Sequence, residues 1–166
     1  MNKITGKIKG TSIIEILIVV SIIGIAFFAI LSLTAAALKS SILVKETNQA
    51  TFLAQEAIEA VISFRNETDW STDGIGNLNT GSAYPYYPQL DTLVSPPKWN
   101  LLEGQETTGI FNRKIVFEDV SRDLTTGDIE NIYNPFHNDA DTKKVTTTVS
   151  WGNKKVDLFN YLTNWK

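Results

Sequence analysis

The stretch KGTSIIEILIVVSIIGIAFFAILSL, residues 9–33, sets the architecture of this chain because it is apolar enough to form a membrane-spanning helix. No charged residue lies between Glu15 and Lys39, and a helix needs only about 20 apolar residues to cross a bilayer. Glu15 nevertheless lies just inside the front edge of the apolar run, where a charge costs on the order of 2.5–3.5 kcal/mol on the mildest insertion scales. A sequence that keeps such a charge predicts either a partner or a role for it.

The composition narrows the classes of function. The 166-residue chain has a formal net charge of −3 and no cysteine. Lys3, Lys7 and Lys9 form a basic N-terminus, so the remainder is more acidic than the total suggests. An acidic remainder without a stripe of lysine or arginine argues against nucleic-acid binding through phosphate neutralisation. The lack of cysteine excludes a disulfide framework, a thiolate metal site and a cysteine nucleophile.

Two simple interpretations of the N-terminus are open. A secretory signal peptide would have this basic start and an apolar run, followed by Ala35 and Ala37 in an A-x-A pattern. However, the run is longer than the usual 7–15 residues and contains Glu15. A plain transmembrane anchor fits the length and the flanking lysines, but it leaves Glu15 and Gly10 without a role.

A third interpretation accounts for both residues. The letters KG, followed by TSIIE and a long apolar helix, resemble the N-terminus of type IV prepilins and type II secretion pseudopilins. In that family a membrane-embedded aspartyl prepilin peptidase cuts after a glycine, and the fifth residue of the mature chain is a glutamate. The resemblance implies cleavage between Gly10 and Thr11, N-methylation of Thr11, and Glu15 as the fifth residue. The family usually has phenylalanine where this chain has Thr11.

The resemblance also implies which residues serve assembly. In the family the glutamate pairs with the free α-amine of a neighbouring subunit, so Glu15 would pair with the Thr11 amine of another copy. Such a pair relieves two charges that are costly in an apolar core, and it fixes the register between subunits. Gly24 is the second assembly candidate. It marks either a place where the helix loosens on assembly, as in several pilins, or a close approach of two helices.

The helical pattern continues beyond Lys39. Ala50, Ala54, Ala57 and Val61 recur at spacings of three and four, which predicts an amphipathic helix that ends near Asn66. The expected segments are a basic leader removed by prepilin peptidase at 1–10, a transmembrane and assembly half of the helix at 11–38, its amphipathic half at 39–66, and a globular β-rich head at 67–166.

The head shows strand patterns only in its second part. Residues 71–109 are rich in Gly, Pro, Asn and Ser, and predict a long irregular connection with at most one short strand. Strands are predicted at Ile110–Val120, at KVTTTVSW (144–151) and at KVDLFNYL (155–162), the last two joined by a Gly152-Asn153 turn. The expected fold is therefore α+β, with a long helix packed under a small antiparallel sheet, a pilin-like lollipop.

Two polar candidates lie in NPFHNDADTKK, residues 134–144. His137 is the single histidine, and no serine nucleophile motif accompanies it, so we expect a loop residue. Asn138, Asp139 and Asp141 are weak candidates for calcium, which needs 6–8 oxygen ligands. The stretch lacks the glycine and glutamate spacing of an EF-hand, and such residues also form turns unaided.

An aromatic cluster is the third candidate in the head. AYPYYP, residues 83–88, together with Trp70 and Trp99, could stack on sugars or on a surface. The same rings could fill gaps beneath a long loop, and we expect this second role.

The predicted function is structural and not enzymatic: a minor pilin or pseudopilin of a type IV pilus or type II secretion-like filament. Major pilins commonly have a disulfide-closed loop, which this chain lacks. The expected partners are prepilin peptidase, other pilin-like subunits and the inner-membrane assembly machinery. The head would lie outside the cytoplasm, first at the bacterial inner membrane and then in a cell-surface or periplasmic filament. The alternative is a membrane-anchored extracytoplasmic module that binds a surface, a sugar or secreted cargo.

Overall fold

A computed structural model describes residues 12–165 of the chain. The chain divides into two compact units, Met1–Lys45 and Glu46–Lys166, and one helix runs through both. This helix, α1, spans Ile13–Glu67 and has 55 residues. It ends one residue beyond the predicted Asn66, where the Thr68 hydroxyl donates a hydrogen bond of 2.7 Å to the Phe64 carbonyl. The prediction of a single long helix is confirmed.

Six strands follow the helix and form one antiparallel sheet. Their bounds are β1 Tyr86–Asp91, β2 Lys98–Glu103, β3 Glu106–Thr108, β4 Phe111–Ser121, β5 Asn138–Trp151 and β6 Lys154–Thr163. The order across the sheet is β2-β1-β4-β5-β6, and β3 pairs with β4. Two short 3₁₀ turns precede β1 and β5, at Ile75–Asn77 and Pro135–His137. The fold is therefore α+β, with one long N-terminal helix and a six-stranded antiparallel sheet.

The prediction for residues 71–109 was wrong, because this segment contains β1, β2 and β3. Pro88 lies within β1 and cannot donate a backbone hydrogen bond. It is tolerated because β1 pairs with β4 only at Tyr86, which leaves the rest of β1 unpaired on that side. The stretch before 144 was also assigned as turn-like, whereas β5 begins at Asn138 and pairs there with Ser121. The composition of a short segment gives no information about strands from distant parts of the sequence that pair with it.

The other strand predictions are confirmed. β4 and β6 differ from the expected ranges by one residue at each end, and β5 contains the whole of residues 144–151. The hairpin between β5 and β6 turns at Gly152, whose φ of 52° is the left-handed conformation that glycine adopts without strain.

The core lies between the second half of α1 and one face of the sheet. On the helix the fully buried residues are mostly alanines, which have small side chains: Ala50, Ala54, Ala57, Ala60 and Val61. The sheet contributes alternate residues of β4 and β5, as the period-two pattern requires. These include Ile115, Phe117, Val145 and Val149, all fully buried.

Polar contacts also hold the second half of α1 to the sheet. Arg113 of β4 has a side chain only 6% exposed, and it donates to Glu106 at 2.5 and 3.0 Å. The same guanidinium donates to the Leu53 carbonyl at 3.1 Å and to Glu56 at 3.3 Å. The positive charge of Arg113 is buried, and it would be costly to enclose without these hydrogen-bond partners.

Candidate functional site

The first half of α1 keeps its apolar side chains exposed. Ile13, Phe28 and Leu33 are 79%, 76% and 72% exposed, and no residue of the most apolar 18-residue window is buried. Within residues 12–165, α1 is the one helix that is long and apolar enough to cross a membrane. This finding concerns length and composition alone.

Three hydroxyl groups of this half donate hydrogen bonds within the helix. Ser21 donates to the Leu17 carbonyl at 2.7 Å, and Thr34 donates to the Ile30 carbonyl at 2.9 Å. Ser32 bonds in the same way to the Ala29 carbonyl at 2.9 Å. Because these three donors already have acceptors, they can enter an apolar environment without being left unpaired.

Glu15 lies in the first turn of α1, where a carboxylate is favoured by the helix dipole. Its backbone N–H donates to the Ser12 carbonyl at 2.9 Å. The side chain is exposed, and it has no hydrogen bond or ion pair with any residue in the described range 12–165. The predicted cleavage residues Gly10 and Thr11 lie outside the described residues.

Gly24 lies within an unbroken stretch of helix. A Cβ atom built at this position would meet nothing within 4 Å. Both roles that the sequence suggests, a loosening of the helix and a close approach of a second helix, remain predictions.

An apolar groove lies on the second half of α1, which belongs to the Glu46–Lys166 unit. It has a volume of about 600 Å³ and is lined by Gln49, Phe52, Leu53 and Thr108–Phe111. Phe52 and Ile110 are 68% and 61% exposed along it. None of the lining residues is charged, so we refer to this surface as the Phe52 groove.

Asp139 and Asp141, two of the weak calcium candidates, already accept hydrogen bonds from other groups of the chain. Arg122 donates to Asp139 at 2.6 Å, and the backbone N–H of Asp141 donates to the other Asp139 oxygen at 3.0 Å. Asp141 accepts from the Asn164 amide at 3.1 Å. Burial raises the pKa of Asp139, but its hydrogen bonds, chiefly from Arg122, outweigh this and lower the pKa. Residues 12–165 contain no group of three or more His, Cys, Asp or Glu side chains that could hold a metal.

His137 ends the 3₁₀ turn before β5. Its Nδ1 lies 3.0 Å from Glu130 Oε1 and 3.3 Å from the Asn134 amide. These contacts join parts of the β4–β5 connection to one another, which is the local role expected of a loop histidine.

The aromatic cluster is divided between core and surface. Trp70 and Tyr86 are buried, and Tyr86 packs edge-on against Phe117 with ring centroids 5.6 Å apart. The Trp70 indole donates to the Ala140 carbonyl at 3.2 Å. The packing role is therefore confirmed for these two rings, whereas Tyr84 is 48% exposed.

The head contains a polar pocket that was not predicted from the sequence, and we call it the tyrosine pocket. It has a volume of about 390 Å³, and Tyr133 and Tyr161 are its aromatic lining residues. Its other residues come from separate parts of the chain: Thr80, Gly81, Glu118–Ser121, Ile129–Asn131 and Lys144. One signal was available, since the alternation of β6 places Phe159 and Tyr161 on the face away from α1.

No protein-family model, no curated protein and no solved structure matches this chain. The resemblance to prepilins therefore depends on the N-terminal residues alone.

Proposed function

We propose that this chain is a pilin-like subunit, a minor pilin or a pseudopilin, of a type IV pilus or type II secretion-like filament. Prepilin peptidase would remove residues 1–10, and the mature subunit would assemble by helix packing at the inner membrane. The observation that carries the proposal is the contrast within α1. Its first half is apolar and wholly exposed, while its second half is packed on the sheet.

Glu15 supports the proposal because it needs a partner from outside the described chain. Its side chain has no hydrogen bond or ion pair within residues 12–165, and the surface around it is apolar. In a bundle of such helices, the α-amine of a neighbouring Thr11 would be enclosed in the same apolar medium. Pairing the two charges offsets part of the desolvation penalty, which is several kcal/mol for each ion, so an unpaired ion there is less favourable than the pair.

The Phe52 groove offers a second contact for assembly. We assign it to the apolar half of α1 from a second copy of the chain. That helix has no charged residue between Glu15 and Lys39, and the groove has no charged lining residue, so neither surface leaves an ion unpaired. Covering Phe52 and Ile110 would remove two large apolar side chains from water.

The first test is the N-terminus of the protein recovered from membranes of cells that express an active prepilin peptidase. Intact mass and N-terminal sequencing should show a chain that begins at Thr11, and cells with an inactive peptidase should keep Met1. An unprocessed chain in the presence of active peptidase would contradict the proposal. A start at Leu38 would instead establish a secretory signal peptide.

The second test is incorporation into filaments in cells that produce the remaining subunits. Glu15→Leu should still be processed and inserted, but it should fall at least about tenfold in sheared filament fractions, equivalent to 1.4 kcal/mol. Glu59→Leu is the matched control, because Glu59 is an exposed glutamate on the second half of the same helix. Equal incorporation of the two variants would favour the alternative, a simple membrane anchor for a binding module.

A separate substitution tests whether the Phe52 groove is an assembly contact. Phe52→Ser should reduce incorporation while leaving the head folded, because the Phe52 ring is mostly exposed in the single chain. The control is Phe136→Ser, which removes an equally large ring that is 92% exposed and does not line the groove. If both substitutions have the same effect, the groove is not the contact.

A further inference from the structure

We propose that the tyrosine pocket binds an uncharged carbohydrate, with the rings of Tyr133 and Tyr161 as stacking surfaces. The pocket lies wholly in the Glu46–Lys166 unit. The inference is therefore independent of the filament proposal, and it holds for an anchored module as well.

The size of the pocket suits a small ligand. Its volume of about 390 Å³ lies in the range of sites that enclose small molecules, roughly 300–1,000 Å³. The end of β4 supplies one group of lining residues, and the connection to β5 supplies a second. The lining is completed by Lys144 of β5, Tyr161 of β6 and residues 80–81 before β1, so strands of the sheet support part of the site.

The two tyrosines are exposed but held in place. Tyr133 is 45% exposed, and its hydroxyl donates to the Asn138 side chain at 3.1 Å. Tyr161 is 40% exposed, and its ring packs edge-on against Phe159 with centroids 6.1 Å apart. The negative face of an aromatic ring attracts the polarised C–H groups of a sugar. Rings that are already positioned lose little freedom on binding.

The carboxylates of the pocket argue against a cationic ligand. Glu118 pairs with Lys144 at 2.9 Å, and Glu130 pairs with His137 at 3.0 Å. Asp119 accepts from the Lys143 ammonium and from the Thr80 hydroxyl. Each carboxylate has at least one partner from the chain, so a bound cation would compete with it. One oxygen, Glu130 Oε2, is buried without a hydrogen-bond partner within residues 12–165, and it can accept from a ligand hydroxyl.

The same groups argue against an anionic or a purely apolar ligand. Three carboxylates line the pocket, and two lysines, Lys143 and Lys144, pair with two of them. The carboxylates outnumber the lysines, so an added phosphate or carboxylate would be repelled. The lining also contains the Asn131 amide and the carboxylate of Glu130, whose buried Oε2 atom has no hydrogen-bond partner in the described part of the chain. An apolar ligand would leave these polar groups unpaired. A sugar hydroxyl both donates and accepts, and can therefore bond to amide, hydroxyl and carboxylate groups together.

The test uses the full chain in a sugar-free amine oxide detergent. The probes are the methyl glycosides of glucose, galactose, mannose and N-acetylglucosamine, followed by saturation-transfer NMR. At least one glycoside should bind with a Kd of about 1 mM or tighter, near −4 kcal/mol. Tyr161→Ala should weaken that binding at least about tenfold. Asn131→Ala, an exposed loop substitution that should not disturb folding, should also weaken it.

Tyr84→Ala is the matched control, because Tyr84 is 48% exposed and does not line the pocket. It should leave glycoside binding unchanged. Three results would overturn the inference: no binding of any of the four glycosides, equal binding by wild type and by both pocket variants, or pocket-dependent binding of inorganic phosphate or N-acetyl-triglycine amide in place of the glycosides.

Discussion

The two halves of α1 have the same secondary structure but opposite surroundings. Residues of the first half, such as Phe28, expose apolar side chains, and the hydroxyls of Ser21 and Thr34 bond back to the helix. The second half buries Ala50, Ala54, Ala57 and Ala60 against the sheet and adds contacts with Arg113.

The two halves of α1 differ in what covers their apolar side chains. The second half is covered by strands of the same chain, and its fully buried residues are small. The first half has no such cover among the described residues, and its apolar surface extends around the helix. A helix of this length and composition is compatible with membrane anchoring.

The largest expected effect is the loss of a core ring. Phe117→Ala removes a fully buried side chain and should lower the free energy of unfolding of the head by about 3–5 kcal/mol. Phe28→Ala, at a position 76% exposed, should leave the head unchanged. Thermal unfolding in detergent micelles, followed by tryptophan fluorescence, measures the head specifically, because all four tryptophans lie in the Glu46–Lys166 unit. A similar loss of unfolding free energy in both variants would contradict the difference between the two halves of the molecule.

The next effect tests the alanine surface. Ala57→Leu adds volume where the helix meets the sheet, and overpacking should cost about 1–3 kcal/mol. Ala36→Leu makes the same change on the exposed first half and should not alter the unfolding temperature of the head. If Ala57→Leu is tolerated equally well, the small volume of the buried Ala57 side chain is not needed for stability.

A smaller and opposite effect is expected from Thr147→Val. The Thr147 hydroxyl is buried in the core and has no hydrogen-bond partner within residues 12–165. Valine keeps the branched shape and removes the enclosed polar group, so the head should gain about 1 kcal/mol. Thr34→Val is the control, since that hydroxyl bonds to the Ile30 carbonyl outside the head. A lower unfolding temperature for Thr147→Val would show that the hydroxyl contributes to stability.

The smallest effect at neutral pH concerns Asp119. Burial raises the pKa of Asp119, but hydrogen bonds from Lys143 and Thr80 outweigh it and lower the pKa. Its contribution to stability is therefore complete above the unfolded pKa of about 3.9 and is lost as the pH falls through the lower folded value. Wild-type head should lose stability over this acid range.

The double variant Asp119→Asn/Lys143→Met removes both partners. It should change stability little at pH 7 and should flatten the acid limb of the stability curve. Glu59→Gln is the control and should keep the wild-type acid limb, because Glu59 is exposed and has no ion pair within the described chain. An unchanged acid limb in the double variant would show that other groups produce the pH dependence.

Much of the fold could be predicted because its signals are local. The uncharged run before Lys39, the alanine spacing of the second half and the alternation of residues 144–151 each specify an element without knowledge of its neighbours. The segment 71–109 could not be predicted in this way. Its strands β1 and β2 are stabilised mainly by pairing with each other, and that pairing is absent from local composition.

The candidate sites also differ in whether a local sequence signal indicates them. Glu15 stands out in the sequence because a carboxylate in an apolar run conflicts with its surroundings whatever the fold is. The tyrosine pocket does not stand out, because Thr80, Glu118, Tyr133 and Tyr161 meet only when the strands pair. The sequence alone therefore specified a long helix with an exposed apolar half and a charged residue near its start. Tertiary pairing specified which residues form the core, the Phe52 groove and the pocket, since contacts between distant residues arise only in the folded chain.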